Sequence, residues 1–94
     1  MPYFVLSPRN LNAPEWQLST RLTPVQVEAV DVESARYRAA KLYAAYGGPS
    51  GLSNPWIRRD LTEATLLADV DPTLPVVRVR RSGDKVVEIQ SPSG

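Results

Sequence analysis

Two groups of arginines carry the residue types and spacings that could do chemistry. Arg78 and Arg80 alternate with Val77 and Val79, so on a strand both guanidiniums share one face. Paired guanidiniums at that spacing can hold phosphates through charge-assisted hydrogen bonds. Arg58 and Arg59 follow Trp56 closely, and an aromatic ring beside two arginines can stack on a base or anchor a protein interface. The charge balance weighs against phosphate binding. Eleven basic residues face ten acidic ones, for a net charge of +1, whereas nucleic-acid-binding domains usually carry a clear basic excess. The plainer reading of Arg78 and Arg80 is a solvated sheet face whose charges guard an edge strand.

Asp69 and Asp71 lie one residue apart and could together bind a hard cation. Counted from Asp69, however, Leu74 and Arg80 occupy the sixth and twelfth places, where a calcium loop needs glycine and glutamate. Asp71 before Pro72 reads instead as a turn former. Gly47, Gly48 and Gly51 follow a helix rather than preceding one, and no Gly-Lys-Ser/Thr comes after them, so they do not form a phosphate cradle.

The chain has no histidine and no cysteine in 94 residues. That removes the one side chain that titrates near neutrality without help, the thiolate nucleophile, and the two commonest zinc ligands. General acid–base catalysis would fall to Lys41, Lys85, Tyr37, Tyr43 or a strongly shifted carboxylate. A domain this small has little room for the pocket that makes such shifts. The expectation is therefore a protein that is no enzyme and takes no cofactor and no metal.

The elements that must position these residues are legible in outline. Residues 3–6 are an apolar run with strand composition, ended by Ser7-Pro8. Residues 9–14 carry turn chemistry. Trp16, Leu18, Thr20 and Leu22 alternate with polar residues, which predicts a half-buried strand interrupted at Pro24 and resuming through Val25, Val27 and Ala29. Asp31 is a helix N-cap, and Glu33 favours the positive end of the dipole. Val32, Ala35, Ala39, Leu42, Tyr43 and Tyr46 form an apolar stripe, with Glu33, Arg36, Arg38 and Lys41 lying mainly away from it. Gly47 and Pro49 end that helix. Residues 47–54 form a flexible glycine, proline and serine loop. Asn54-Pro55 opens a helical turn or two through Trp56 to Asp60.

Residues 61–70 fit either a strand or a helical face, and their threonines favour the strand. Residues 71–75 are a break. Residues 76–81 and 86–90 form a hairpin around Ser82-Gly83-Asp84-Lys85.

The predicted fold is α+β in a single domain spanning 1–94. A small antiparallel sheet of four to five strands carries one long helix (about 32–46) on one face and a C-terminal β-hairpin (about 76–90). Residues 91–94 are expected to be a disordered tail. Trp16 alternates with Leu18 and reads as core. Trp56 either plugs the open end of the sheet or sits exposed as an anchor.

Nothing in the sequence marks a membrane span, a signal peptide or an acceptor for N-glycosylation, so a bacterial-type cytoplasmic protein is expected. The functional expectation is a non-enzymatic interaction module. It would bind another protein through Trp56, Arg58, Arg59 and the loop before them. The alternative is a nucleic-acid-binding domain using Arg78 and Arg80. An edge strand of the C-terminal hairpin could also pair with its twin in a homodimer.

Overall fold

The computed structural model describes residues 2–45, 54–79 and 86–89. In chain order these form β1 (Tyr3–Pro8), a 3₁₀ turn (Pro14–Leu18), β2 (Val25–Glu28), α1 (Val32–Tyr43), β3 (Thr62–Leu67), β4 (Val76–Val79) and β5 (Val86–Ile89). The five strands make one sheet in the order β3-β1-β2-β4-β5, with a single helix against it. The α+β expectation holds, with one change: the sheet is mixed. β1 pairs antiparallel with β2 and β3, and β4 with β5, but β2 and β4 run parallel.

The register sorts side chains by face. Phe4, Leu6, Val25, Val27, Ala64, Val77 and Val86 point to one side, where Ala35, Ala39, Ala40 and Tyr43 of the helix cover them. The three alanines let the helix backbone come close to the sheet. The Asp31 carboxylate caps the helix by accepting from the Ser34 amide at 2.8 Å, as the sequence predicts. Such a cap contributes about 1 kcal/mol.

The helix stops at Tyr43 rather than near 46, because the chain turns extended at Ala44 and pairs with Ser19. The Thr20 amide then donates to the Tyr43 carbonyl (2.7 Å) and the Ala45 amide to the Leu18 carbonyl (2.8 Å). Gly47, Pro49 and the rest of 46–53 lie outside the described residues, as do the hairpin turn at 80–85 and the tail at 90–94.

The strand predicted over 16–22 is not present. Pro14 starts a 3₁₀ turn that runs to Leu18. Proline at the first helical position suits a turn and not a central strand. The turn swings the Trp16 ring into the core, where its indole N–H donates to the Arg9 carbonyl at 2.8 Å. Asn10, just before it, adopts φ 50°, a left-handed position that asparagine tolerates. The helical start predicted at Asn54-Pro55 is a run of single turns. The Ile57 amide donates to Asn54, Arg58 to Pro55, and Leu61 to Arg58. Residues 62–67 are strand, as their threonines suggest.

The chain between β3 and β4 must pass β1 and β2 to reach its place, and it does so on the face opposite the helix. Gln26, wholly buried in the middle of β2, holds it there. Its amide nitrogen donates to the carbonyls of Asp71 and of Leu74 (2.9 Å), and its oxygen accepts from the Asp71 amide (2.9 Å). One side chain thus satisfies three backbone groups of the crossover. Among the described residues no helix is long and apolar enough to cross a membrane.

Candidate interaction surfaces

The residues singled out in the sequence go to different places. Trp56 is fully enclosed, with no exposed surface. Its ring packs edge-on against Trp16 (centroids 5.5 Å apart, planes at 86°) and tilted against Tyr43 (5.4 Å). Its indole N–H donates to the Ser19 hydroxyl at 2.8 Å. Trp56 is therefore core and does not present its ring as a surface anchor. Three aromatic residues far apart in sequence need one another to exclude water there, and that need decides the burial.

Arg58 and Arg59 stay at the surface, each engaged. Arg58 grips Asp60 with two parallel hydrogen bonds, Nε to Oδ1 (2.9 Å) and a terminal nitrogen to Oδ2 (2.7 Å), and reaches Glu15 at 2.9 Å. The hydrogen bonds with Asp60 raise the Arg58 pKa and hold the Asp60 carboxyl below its usual range. Arg59 pairs with Glu33 at 2.9 Å. Arg78 sits half-buried on the face away from the helix, and its Nε has no hydrogen-bond partner. Tyr3 shares that face and has a raised pKa, first through hydrogen bonding to Glu28; the nearby Arg78 charge opposes the shift. Arg80 lies outside the described residues.

The aspartates behave as turn formers. Asp71 accepts from the amide (2.8 Å) and hydroxyl (2.6 Å) of Thr73, which lowers its pKa, the hydroxyl having the larger effect. Asp69 accepts from the Val70 amide at 2.8 Å. Among the described residues no group of three or more acidic, histidine or cysteine side chains is placed to hold a metal.

A polar cluster that the sequence did not disclose closes the β5 side of the molecule. The buried Tyr43 hydroxyl donates to Glu88 Oε1 at 2.5 Å, and Arg21 donates to the same oxygen at 3.0 Å. The Arg21 guanidinium also stands 5.8 Å from the centre of the Tyr43 ring. Burial, then the hydrogen bond to Glu88, drives the Tyr43 pKa far upward, so the phenol stays protonated. Arg21 further donates to the carbonyls of Thr23 (3.2 Å) and Pro24 (3.4 Å). The helix end, the loop at 19–24 and β5 are tied together by side chains that satisfy one another.

The opposite margin differs. β3 is the outer strand beyond β1, six residues long, without proline, lysine or arginine. Pro8 stands opposite Thr62 and has no N–H, so that position cannot be a hydrogen-bonded pair of the β1–β3 ladder. Ladder bonds then fall at Glu63, Thr65 and Leu67, and the backbone groups of Thr62, Ala64 and Leu66 point away from the sheet.

Those of Thr62 are already engaged. Its N–H donates to the Arg58 carbonyl (3.0 Å), and its carbonyl accepts from Arg36 (2.7 Å). No such partner meets the groups of Ala64 and Leu66 among the described residues. The Leu66 side chain is 63% exposed beside them. Glu63, the edge's one charge, is paired with Arg9.

Arg36 overturns its expected place on the helix's outer side. It is only 7% exposed, and its Nε has no hydrogen-bond partner. Desolvation lowers its pKa. Its position next to Ala35 and Ala40 carries it towards the start of β3, where it closes the Thr62 carbonyl. The adjacent leucines 66 and 67 were the available signal for this margin, since neighbours on a strand face opposite ways and one of the two had to be left at a surface. A scan against family models, a search of curated proteins and a search of solved structures each found no match to this chain.

Proposed function

We propose that the chain is a non-catalytic interaction module that binds an extended protein segment by strand addition along β3. One observation carries the reading. Two adjacent outward positions of a regular edge strand, Ala64 and Leu66, have backbone donors and acceptors with no partner among the described residues, beside an exposed leucine. Natural edge strands are commonly blunted by lysine, proline, a bulge or a cover. Here, among the described residues, the cover is at the Thr62 end. Main-chain bonds supply affinity in this mode and alternate side chains supply selectivity. Arg58 and Arg59 keep a part as flanking charges, but Trp56 supports the surface only from within.

The nucleic-acid alternative has less support. Arg9, Arg21, Arg58 and Arg59 are each matched by a carboxylate and Arg36 is buried against the Thr62 carbonyl. Among the described basic residues that leaves Arg38 and Lys41 on the helix and Arg78 on β4, a separate element.

The test is affinity capture with the wild type and Leu66→Lys side by side, followed by amide exchange on the retained complex. Loss of retention in the variant, with new protection at Ala64 and Leu66 in the wild-type complex, supports the proposal. Equal retention by both, or binding to DNA or RNA that falls steeply with salt, overturns it.

A further inference from the structure

The open length of β3 is short enough to specify its own partner. We infer that β3 pairs with β3 of a second copy of this chain, antiparallel and centred on Thr65. This inference rests on strand addition at β3 and adds the identity and register of the added strand.

Two identical edges that join into one continuous sheet must pair residues of the same face. Symmetric pairing is therefore centred on a residue. Since β3 ends at Leu67, the centres that pair both Ala64 and Leu66 with residues of the strand itself are Ala64 and Thr65; a centre at Leu66 would set Ala64 against Ala68, beyond the strand. A centre at Ala64 would set Leu66 against Thr62 of the other copy. The backbone groups of Thr62 are taken by the Arg58 carbonyl and the Arg36 guanidinium, and its side-chain hydroxyl donates to the Pro55 carbonyl at 2.9 Å. That register is closed.

A centre at Thr65 sets Ala64 against Leu66 of the copy and Leu66 against its Ala64. All four residues use only groups that point outward and have no partner among the described residues of the single chain. The ladder ends where Arg36 and the 54–61 turns begin to cover the edge.

Side chains agree with this register. The exposed Leu66 lies over the small Ala64 of the copy, so a large apolar group meets space. Thr65 faces its twin, a favourable cross-strand pair. Glu63 meets Leu67 of the copy and not the other Glu63, and Arg9 already balances its charge. The contact is small and polar at its rim, so the dimer is a reversible one that forms with rising concentration.

The chain has no cysteine, which makes the register directly readable. In the Thr65-centred pairing the two Thr65 residues form a non-hydrogen-bonded pair, with Cα atoms about 4.5 Å apart, within reach of a disulfide. The experiment compares Thr65→Cys with Ala64→Cys under mild oxidation, beside sedimentation of the wild type and Leu66→Lys over a wide concentration range.

The expected result is a reversible wild-type dimer, a monomeric Leu66→Lys protein with an unchanged circular dichroism spectrum, and cross-linking several-fold faster for Thr65→Cys than for Ala64→Cys. Faster cross-linking at Ala64 overturns the register. A wild type that stays monomeric while a retained foreign protein protects the Ala64 and Leu66 amides overturns the second copy but leaves strand addition standing. A monomer whose β3 edge no partner protects overturns both.

Discussion

The two margins of the sheet solve the same problem in opposite ways. At the β5 margin, side chains close on one another: Tyr43 and Arg21 share one oxygen of Glu88, and the Tyr43 ring packs inward against Trp56. At the β3 margin Arg36 and the Arg58 carbonyl engage the Thr62 end, and the outward backbone groups of Ala64 and Leu66 have no partner among the described residues. The first margin concentrates stability, because the Tyr43 hydroxyl, Arg21 and Glu88 satisfy one another and large rings exclude water, although the buried Arg78 Nε beside β5 has no partner among the described residues. On the proposed reading the second concentrates capacity to bind, because its outward donors and acceptors have no partner among the described residues. Stability and association should therefore respond to different substitutions.

The largest effect is expected where the aromatic floor is removed. Trp56→Ala leaves a cavity under Trp16 and Tyr43 and frees the Ser19 hydroxyl, at a cost of about 3–5 kcal/mol. Urea denaturation should show a loss of that size or an unfolded protein. A stable, fully folded variant would break the contrast, because the ring would then not be core.

Next comes Gln26→Leu, which keeps the volume roughly but strands the Asp71 amide and two carbonyls. About 2–3 kcal/mol should be lost, read from the same denaturation curve. Leu66→Lys should change stability by less than about 0.5 kcal/mol while abolishing association. A large fall in stability would show that the β3 margin is structural as well.

Acid is expected to act last and least. The Ser34 amide lowers the pKa of Asp31, Arg58 that of Asp60, and Thr73 that of Asp71. A carboxyl depressed in the folded state stabilises fully above its unfolded pKa, about 3.9, and loses that contribution as pH falls through the folded value. These three groups should leave stability flat from neutrality down to about pH 5 and let it fall below about pH 4. Denaturant midpoints for wild type and Asp31→Asn across that range give the check, the variant falling less steeply.

What the sequence discloses follows the range of the interactions involved. The Asp31 cap, the alanine-rich helix, the strand at 62–67 and the β4–β5 pairing depend on neighbours within a few residues and are readable there. The 3₁₀ turn at Pro14–Leu18 is misread because Trp16 and Leu18 alternate in a way that serves a tight turn as well as a strand.

Long-range facts stay hidden. Trp56 is buried by Trp16 and Tyr43, and Gln26 by a crossover some forty-five residues later. Arg36 reads as a surface residue on the helix wheel, yet its partner is a strand carbonyl twenty-six residues on. The open edge of β3 depends on strand order, which no local pattern encodes. A parallel β2–β4 pair is invisible for the same reason.

The central claim is that β3 is capped at Thr62 and open at Ala64 and Leu66. Residue-resolved amide hydrogen exchange in dilute solution tests it most directly. The Thr62, Glu63, Thr65 and Leu67 amides should exchange slowly and those of Ala64 and Leu66 fast, the last two slowing as the protein is concentrated. Rapid exchange at Thr62, or equal protection along the whole strand at every concentration, would contradict it.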